Sequence, residues 1–270
     1  MKNIILFAAF LATSILSAQN FPGARPELLQ GKEVKIMQLK ESYRKSGYNN
    51  FCTDYEMQHR YAASSIFDYT PADTLVGRTF HVEKVEPYKD GKYTKAKVTL
   101  KDKGKGKILY YSYNSGLTMP PEYPFEVVGG LDLPADFYCD YIEKKPAQVG
   151  GDEYTTDPVN GIIFTKNNKD GATVYRMQTR TLGSTEDKMV VGKVTATLEN
   201  GKVITKENTM VDVEANGYGG YVYTAVFFLD EKDIELLSKN KVISARIIAM
   251  ETKIGDPDKL KGMFDCLLTK

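Results

Sequence analysis

Residues 93–113 read YTKAKVTLKDKGKGKILYYSY, and this stretch decides the fold of the first half of the chain. Two runs rich in β-branched and aromatic side chains, 93–100 and 108–113, flank a connector of lysine, aspartate and glycine, which is the composition of a turn between strands. A third such run, residues 79–86, lies before them across a short Lys-Asp-Gly-Lys turn. The pattern therefore predicts an antiparallel meander of three strands.

Two segments near this meander, residues 28–36 and 74–82, share a glycine, a basic residue and then apolar residues at alternate positions. Alternation predicts a strand with one buried and one solvated face, and the glycine suits the bend where such a strand begins. Further strands are expected at 125–128 and 137–142. Together these strands predict a small, partly closed antiparallel barrel.

The second half combines strand runs with clear turn and helix signals. Asn200-Gly201 accepts the positive φ angles of a two-residue hairpin, and Asp230 can cap a helix over residues 231–239. Asp256-Pro257 places a cap before a proline at the first position of a last helix. The expected fold class is therefore α+β and β-rich: the small, partly closed antiparallel barrel, followed by an antiparallel-rich sheet with two helices.

A boundary between two domains is predicted at residues 144–152, which contain Pro146, Gly150 and Gly151 and have the composition of a linker. A chain of 270 residues is long enough for two domains with their own cores. We expect an N-terminal β-rich domain over residues 19–148 and a C-terminal domain of sheet plus helices over residues 149–270.

Residues 1–18 have the order of a cleaved export signal: one lysine at position 2, an apolar run over 4–12, and small residues up to Ala18. A membrane-spanning helix needs about 20 apolar residues, and this run is shorter. We therefore expect cleavage after Ala18, a mature chain without a transmembrane anchor, and a location in the periplasm or outside the cell.

The charge balance argues against two classes of partner. The chain has 36 basic and 35 acidic residues, and removal of residues 1–18 takes away one lysine, which leaves a net charge of zero. A neutral chain offers no electrostatic attraction to nucleic acid or to an anionic membrane surface.

The chain has an odd number of cysteines, three in all, at positions 52, 139 and 266. In an oxidising compartment either one pair forms and one thiol is left over, or all three stay reduced. In the last helix Cys266 lies beside the apolar stripe, so its side chain is available for bridging. The preferred pair is Cys139 with Cys266, which would tie the end of each predicted half together.

Several short runs resemble uncharacterised exported β-rich proteins of gut and oral Gram-negative bacteria. The resemblance covers most of the mature chain and implies export and a β-rich fold, but no activity, ligand or site. Its elements are residues 28–36, 47–51, 75–82, 131–134 with 137–139, and 234–237 before the strand at 242.

Only one cluster of acidic residues and histidine is close in sequence, and it comprises Asp54, Glu56 and His59. A hydrolase could use such a cluster, and its three side chains could also approach a metal ion. The spacing matches no common metal site, and no orienting partner for a nucleophile is recognisable. The sequence therefore predicts no catalytic residue, no metal ligand and no cofactor.

The tyrosines are the strongest candidates for a ligand-binding site. Flat amphipathic rings on a rigid sheet can bind sugars or peptides, but the same rings can also fill and rim a β-sheet core. Both interpretations stay open from the sequence, since the chain has 18 tyrosines and no tryptophan. The candidate ligand-binding residues are Tyr111, Tyr113, Tyr123, Tyr218 and Tyr221.

Three functions follow as hypotheses. The first is an exported, non-enzymatic binding or structural protein of the cell envelope. The second is a glycan-binding accessory module that uses exposed tyrosines, so the candidate partners are a glycan or an envelope protein. The third is a hydrolase with an unfamiliar site at Asp54, Glu56 and His59.

Overall fold

The computed structural model describes residues 19–62, 69–91, 93–116, 118–120, 122–147, 150–184 and 190–270. The export signal predicted at residues 1–18 lies outside these ranges. Strands make up 47% of the chain in two curled antiparallel sheets, so the expected β-rich α+β class is confirmed. Within the described ranges, no helix combines the length and the apolar character needed to cross a membrane.

The first unit ends at Leu133 and is built on one antiparallel six-stranded sheet. A short helix, α1 (Glu41–Arg44), follows its first strand. The order of strands across the sheet is β2-β5-β4-β3-β1-β6. The strands are β1 (Glu33–Ile36), β2 (Phe51–Cys52), β3 (Thr79–Asp90), β4 (Tyr93–Asp102), β5 (Ile108–Tyr113) and β6 (Phe125–Val127).

The predicted meander is the centre of this sheet, as β3, β4 and β5. The two glycine-led segments become β1 and β3, which pair with each other through Val34 and Phe80. Gly31 and Gly77 precede these strands with φ angles of +77° and +78°, a region that glycine adopts at little cost. The prediction that each glycine leads into a strand is therefore confirmed.

The second unit, Pro134–Lys270, is built on a nine-stranded antiparallel sheet with two helices. The order across the sheet is β15-β14-β11-β12-β13-β10-β9-β8-β7. The helices are α2 (Glu231–Lys239) and α3 (Pro257–Leu268). The strands are β7 (Ile142–Pro146), β8 (Asp152–Thr156), β9 (Ile163–Lys169), β10 (Ala172–Gly183), β11 (Val190–Leu198), β12 (Val203–Ala215), β13 (Tyr221–Leu229), β14 (Val242–Ile247) and β15 (Met250–Lys253).

Both helices begin at the predicted caps. The Asp230 carboxylate accepts hydrogen bonds from the backbone N–H groups of Lys232 and Asp233, and the Asp256 carboxylate accepts one from Lys259. These bonds satisfy donors that have no partner within the first turn of a helix. The apolar stripe of α3 is buried, and it contacts β8, β9 and β14 of the sheet.

The predicted domain boundary at 148/149 is wrong, because the chain divides after Leu133. Proline and glycine near residue 150 belong to a hairpin: β7 pairs antiparallel with β8, and Gly150 and Gly151 have positive φ angles in the turn. The segment 137–142 also belongs to the second unit, where Phe137–Tyr141 forms a 3₁₀ helix before β7. It does not complete the first sheet as expected.

The preferred cysteine pair is present: Cys139 and Cys266 form a disulfide with their Cα atoms 5.4 Å apart. It joins the 3₁₀ helix Phe137–Tyr141 to α3, so both sulfurs lie in the second unit rather than at the ends of two halves. The third cysteine, Cys52, is buried in β2.

Candidate functional site

The sheet of the second unit has two faces with different surroundings. On one face α3 packs, with the rings of Phe164 and Phe264 4.7 Å apart between centroids. On this same face the buried Lys166 ammonium donates a 2.6 Å hydrogen bond to the carbonyl of Lys270. Because side chains alternate along a strand, Thr165 and Asn167 of β9 lie on the opposite side. We call that side the outer face.

Strand register brings one side chain from each of four strands, three of them polar, into one row on the outer face. Lys145 of β7 lies opposite Glu153 of β8, which lies opposite Asn167 of β9, which lies opposite Val174 of β10. Directly opposed residues have Cβ atoms about 5 Å apart, within reach of one another's side chains. Residues distant in sequence therefore form one surface.

A groove with a volume of about 890 Å³ lies over this row, between the β9–β10 turn and Phe228 of β13. Arg176, two positions after Val174 on β10, forms the next part of its floor and pairs across strands with Phe228. This volume lies in the upper part of the range of about 300–1,000 Å³ that is typical of small-molecule pockets.

Three side chains in the groove form a closed hydrogen-bonded set, which we call the polar trio: Glu153, Asn167 and Arg176. Arg176 Nη2 donates to Glu153 Oε2 at 2.9 Å and to Asn167 Oδ1 at 2.7 Å. Asn167 Nδ2 donates to the same Glu153 Oε2 at 3.0 Å. Each planar group is held by the other two, so the trio is preorganised while it stays half-exposed.

The charges around the groove nearly balance. Its lining contains three cationic side chains, of Lys145, Lys169 and Arg176, against the carboxylates of Glu153 and Asp170. Lys145 also forms a 2.7 Å ion pair with Glu143. The negative charge of Glu153 lies within the trio, so a strongly anionic ligand would meet a carboxylate at the centre of the site.

One wall of the groove is aromatic. Along β13, Tyr223, Ala225, Phe227 and Leu229 point into the core, whereas Phe228 points outward and remains 67% exposed. Outward positions of a half-covered antiparallel sheet are normally polar. Burial in the core of its own unit therefore does not explain a phenylalanine here.

Three of the five predicted ligand-binding tyrosines lie in the core of the first unit or pack against it, and the exposed-platform interpretation is wrong for them. Tyr111 and Tyr113 of β5 are only 3% and 1% exposed. Tyr123 lies in the same aromatic cluster, where burial raises the pKa of its hydroxyl well above the usual value. The alternative that these rings fill a β-sheet core is the one observed.

The other two tyrosines lie at the β12–β13 turn of the second unit, outside the groove. Tyr218 is 96% exposed, and the Asn216 side-chain carbonyl accepts hydrogen bonds from the N–H groups of Tyr218 and Gly220 and fixes the turn. Tyr221 is half-buried opposite Gly183 of β10. Of the five candidate tyrosines, therefore, only Tyr218 presents a fully exposed ring.

In the cluster of Asp54, Glu56 and His59, considered above for a hydrolase, the Asp54 side chain holds the loop backbone by hydrogen bonds. The Asp54 carboxylate accepts bonds from the backbone N–H groups of Gln58 and His59, at 3.0 and 2.7 Å, and contacts His59 Nδ1 at 3.2 Å. The Gln58 bond, followed by those of His59, lowers the pKa of Asp54 against the opposing effect of burial. Across the described ranges, no group of three or more histidine, cysteine or acidic side chains is arranged to hold a metal ion.

The sequence interpretation missed the trio and Phe228. One local signal was available: β13 is apolar at eight of its nine positions, YVYTAVFFL, so some apolar side chains must point away from a single core. The trio itself depends on the register of three strands, β8, β9 and β10, which no short motif encodes. Comparison with family models, with curated proteins and with solved structures finds no match to this chain.

Proposed function

We propose that this chain is an exported, non-enzymatic binding protein of the cell envelope and that it holds its ligand in the groove of the second unit. The observation that carries the proposal is the polar trio of Glu153, Asn167 and Arg176 beside the exposed ring of Phe228. A few fixed polar groups next to apolar surface are the usual composition of a ligand site.

The chemistry of the groove favours binding over catalysis. A general base must be able to reach a proton on the substrate or on a bound water. Glu153 is the one acid–base group of the trio, and its Oε2 atom is held by bonds from both Asn167 and Arg176. Amide and guanidinium groups orient a ligand by hydrogen bonding and do not act as general acids or bases near neutral pH. The trio therefore suits recognition.

The packing of the residues after position 18 is compatible with cleavage after Ala18. Asn20 Oδ1 accepts a 2.7 Å bond from the Val127 N–H, and Tyr123 donates a 2.8 Å bond to the Asn20 carbonyl. The Leu131 N–H donates to the carbonyl of Gln19. A chain that begins at Gln19 would retain all of these contacts, so removal of the signal is compatible with the fold.

Export is tested by expressing the full chain in a Gram-negative host and determining the N-terminus of the protein by mass spectrometry in each cell fraction. We expect a chain that begins at Gln19 in the periplasm or the medium. Retention of residues 1–18 on protein that stays in the cytoplasm would refute export and leave the groove unaffected.

Binding is tested by thermal shift with a panel that contains sugars, peptides, amino acids and nucleotides. A ligand at 100 times its dissociation constant stabilises the folded state by about 2.7 kcal/mol, which corresponds to a rise in Tm of several degrees. We expect one class to raise the Tm of the wild type and to lose this effect in Phe228→Ser. The matched control is Leu182→Ser, because Leu182 is 69% exposed and lies outside the groove.

A separate observation favours structural assembly as a second candidate function. Val191 and Met210 are directly opposed across β11 and β12, and both side chains are exposed. Adjacent exposed apolar side chains are the starting point of the contiguous apolar patches that mark contact sites. If the chain self-associates through them, sedimentation velocity will show larger species for the wild type than for Val191→Ser/Met210→Ser. Identical monomeric profiles would remove this candidate.

A further inference from the structure

We infer that the ligand of the groove is a neutral oligosaccharide; this inference rests on the binding function proposed above and adds its chemical class. Four properties of the groove carry it: the hydrogen-bonding capacity of the trio, the exposed ring of Phe228, the charge balance, and the location of the groove on a sheet face.

The trio offers both hydrogen-bond donors and acceptors at fixed positions. Its internal bonds use Glu153 Oε2 and Arg176 Nη2, so among contacts between described residues Glu153 Oε1 and Arg176 Nη1 remain available. A carboxylate oxygen accepts from a hydroxyl, and a guanidinium nitrogen donates to one. Neighbouring hydroxyls of a sugar ring, each both donor and acceptor, can satisfy these two groups together.

The ring of Phe228 supplies the apolar contact that a sugar needs on its C–H face. Phe228 is the cross-strand partner of Arg176, so the aromatic ring and the polar trio lie side by side. Val174, also exposed, extends the apolar surface on the neighbouring strand. An aromatic ring on a rigid strand buries ligand surface at a low cost in conformational entropy.

The charge and the size of the groove narrow the kind of sugar that it can bind. The three cationic and two acidic side chains of the lining leave a single net positive charge, and the Glu153 carboxylate opposes a sulfate or uronate at the trio. A volume of about 890 Å³, in the upper part of the range for ligand pockets, has room for several sugar units. A neutral chain of several sugar units fits both properties.

The location of the groove argues against an extended peptide as the ligand. A peptide that adds to a sheet pairs its backbone with an exposed edge strand. The groove lies mainly on a face, where the backbone groups of β8, β9 and β10 already bond to their neighbours, and it reaches the edge at Lys145 and Pro146 of β7. The edges themselves are protected: β15 has four residues, and β7 carries two lysines and Pro146.

The experiment is isothermal titration calorimetry of the purified chain with hexasaccharides of glucose, mannose and xylose, alongside oligogalacturonate, chondroitin sulfate and an unrelated soluble peptide. We expect the wild type to bind at least one neutral hexasaccharide. Phe228→Ala should weaken this binding about tenfold, the effect of losing one stacked ring, whereas Leu182→Ala should leave it unchanged.

A second variant tests the trio without removing a large side chain. Asn167→Asp keeps the size of residue 167 and places a second carboxylate beside Glu153, so it should weaken binding of the neutral sugar while circular dichroism shows an intact fold. Binding of the anionic or peptide probes alone, or sugar binding that neither Phe228→Ala nor Asn167→Asp alters, would overturn the inference. In the thermal shift panel, stabilisation by a ligand other than a sugar that depends on Phe228 would refute the sugar as ligand and leave the proposed binding function standing. If no ligand of the panel stabilises the protein, both the sugar inference and the binding function are refuted.

Discussion

The hydroxyl of Tyr113 donates a buried hydrogen bond of 2.6 Å to the carbonyl oxygen of Gly23, ninety positions earlier in the chain. The neighbouring Tyr123 makes an equivalent bond to Asn20, and the ring of Phe21 packs against both tyrosines. Tyr113 and Tyr123, predicted from the sequence to bind ligand, thus hold the segment after the predicted cleavage site against the first sheet.

Replacement of Tyr113 by phenylalanine tests this role. The variant keeps the ring but leaves the buried Gly23 carbonyl without its donor, which costs about 1–3 kcal/mol of unfolding free energy. The measurement is urea unfolding followed by circular dichroism, with Tyr43→Phe as the control on a more exposed ring of the same unit. Equal unfolding midpoints for Tyr113→Phe and the wild type would show that the bond adds nothing to stability.

Removal of the disulfide should strongly destabilise the second unit. Cys139 and Cys266 are separated by 127 residues, and closing a loop of this length restricts the unfolded chain by about 5 kcal/mol on the entropic model. We expect Cys139→Ala/Cys266→Ala to unfold at a much lower urea concentration than the wild type. Dithiothreitol should shift the wild type towards the variant and leave the variant itself unchanged. A wild type that is insensitive to reductant would contradict the prediction.

Gly262 of α3 contacts the ring of Tyr138 so closely that a Cβ atom at position 262 would overlap the ring. Gly262→Ala should therefore cost about 1–3 kcal/mol in the wild type, as overpacking of a core does. In a Tyr138→Ala background the same change should stabilise the protein by up to about 1 kcal/mol, because alanine favours a helix more than glycine. This change of sign in a double-mutant cycle, measured by urea unfolding, is the test. The same sign in both backgrounds would refute the contact.

Local signals in the sequence predicted the hairpins and the helix starts. A turn does lie at Asn200-Gly201 between β11 and β12, but the predicted two-residue type is wrong: only Gly201 has a positive φ, of +80°, and the bond from the Leu198 N–H to the Lys202 carbonyl closes a three-residue loop. Asp230 and Asp256 cap their helices as predicted. Each of these features depends on residues within four positions of one another. Short-range conformational preferences are sufficient to specify them.

Features that depend on long-range pairing were not predictable. Proline and glycine at 146–151 fit a linker and a hairpin turn equally well, and only the pairing of β7 with β8 distinguishes them. Tyr111 and Tyr113 share one face of β5, but alternation does not tell which face meets the core. The polar trio needs the registers of β8, β9 and β10 at once, so its three residues have no common sequence signal.

The loop role of Asp54 can be separated from a catalytic role. Asp54→Ala removes the acceptor of two backbone N–H groups, so it should lower the Tm. His59→Ala removes a largely exposed ring and should leave the Tm unchanged. A catalytic pair would behave differently: both variants would abolish any hydrolysis while the fold stayed intact. Loss of a detected hydrolytic activity in His59→Ala at an unchanged Tm would restore the hydrolase hypothesis.

Acid should destabilise the first unit through Glu86. Hydrogen bonds from Lys84 and Tyr55, with Lys97 also in contact, lower the pKa of Glu86 to about 2, although burial opposes the shift. An unfolded chain has a glutamate pKa near about 4.3. Because the folded pKa is the lower one, Glu86 contributes stability above pH 4.3, and that contribution is lost as the pH falls towards 2.

Glu86→Gln should therefore be less stable than the wild type at pH 7, where it also leaves the buried Lys97 ammonium without its carboxylate. The difference between the two proteins should shrink as the pH falls from about 5 to about 2, because protonation removes the same charge from the wild type. Urea midpoints at pH 7, 5, 4 and 3 measure this convergence. Glu126→Gln on the exposed side of β6 is the control for removal of a surface carboxylate. A stability difference for Glu86→Gln that stays constant from pH 7 to pH 3 would contradict the assignment of this ion pair.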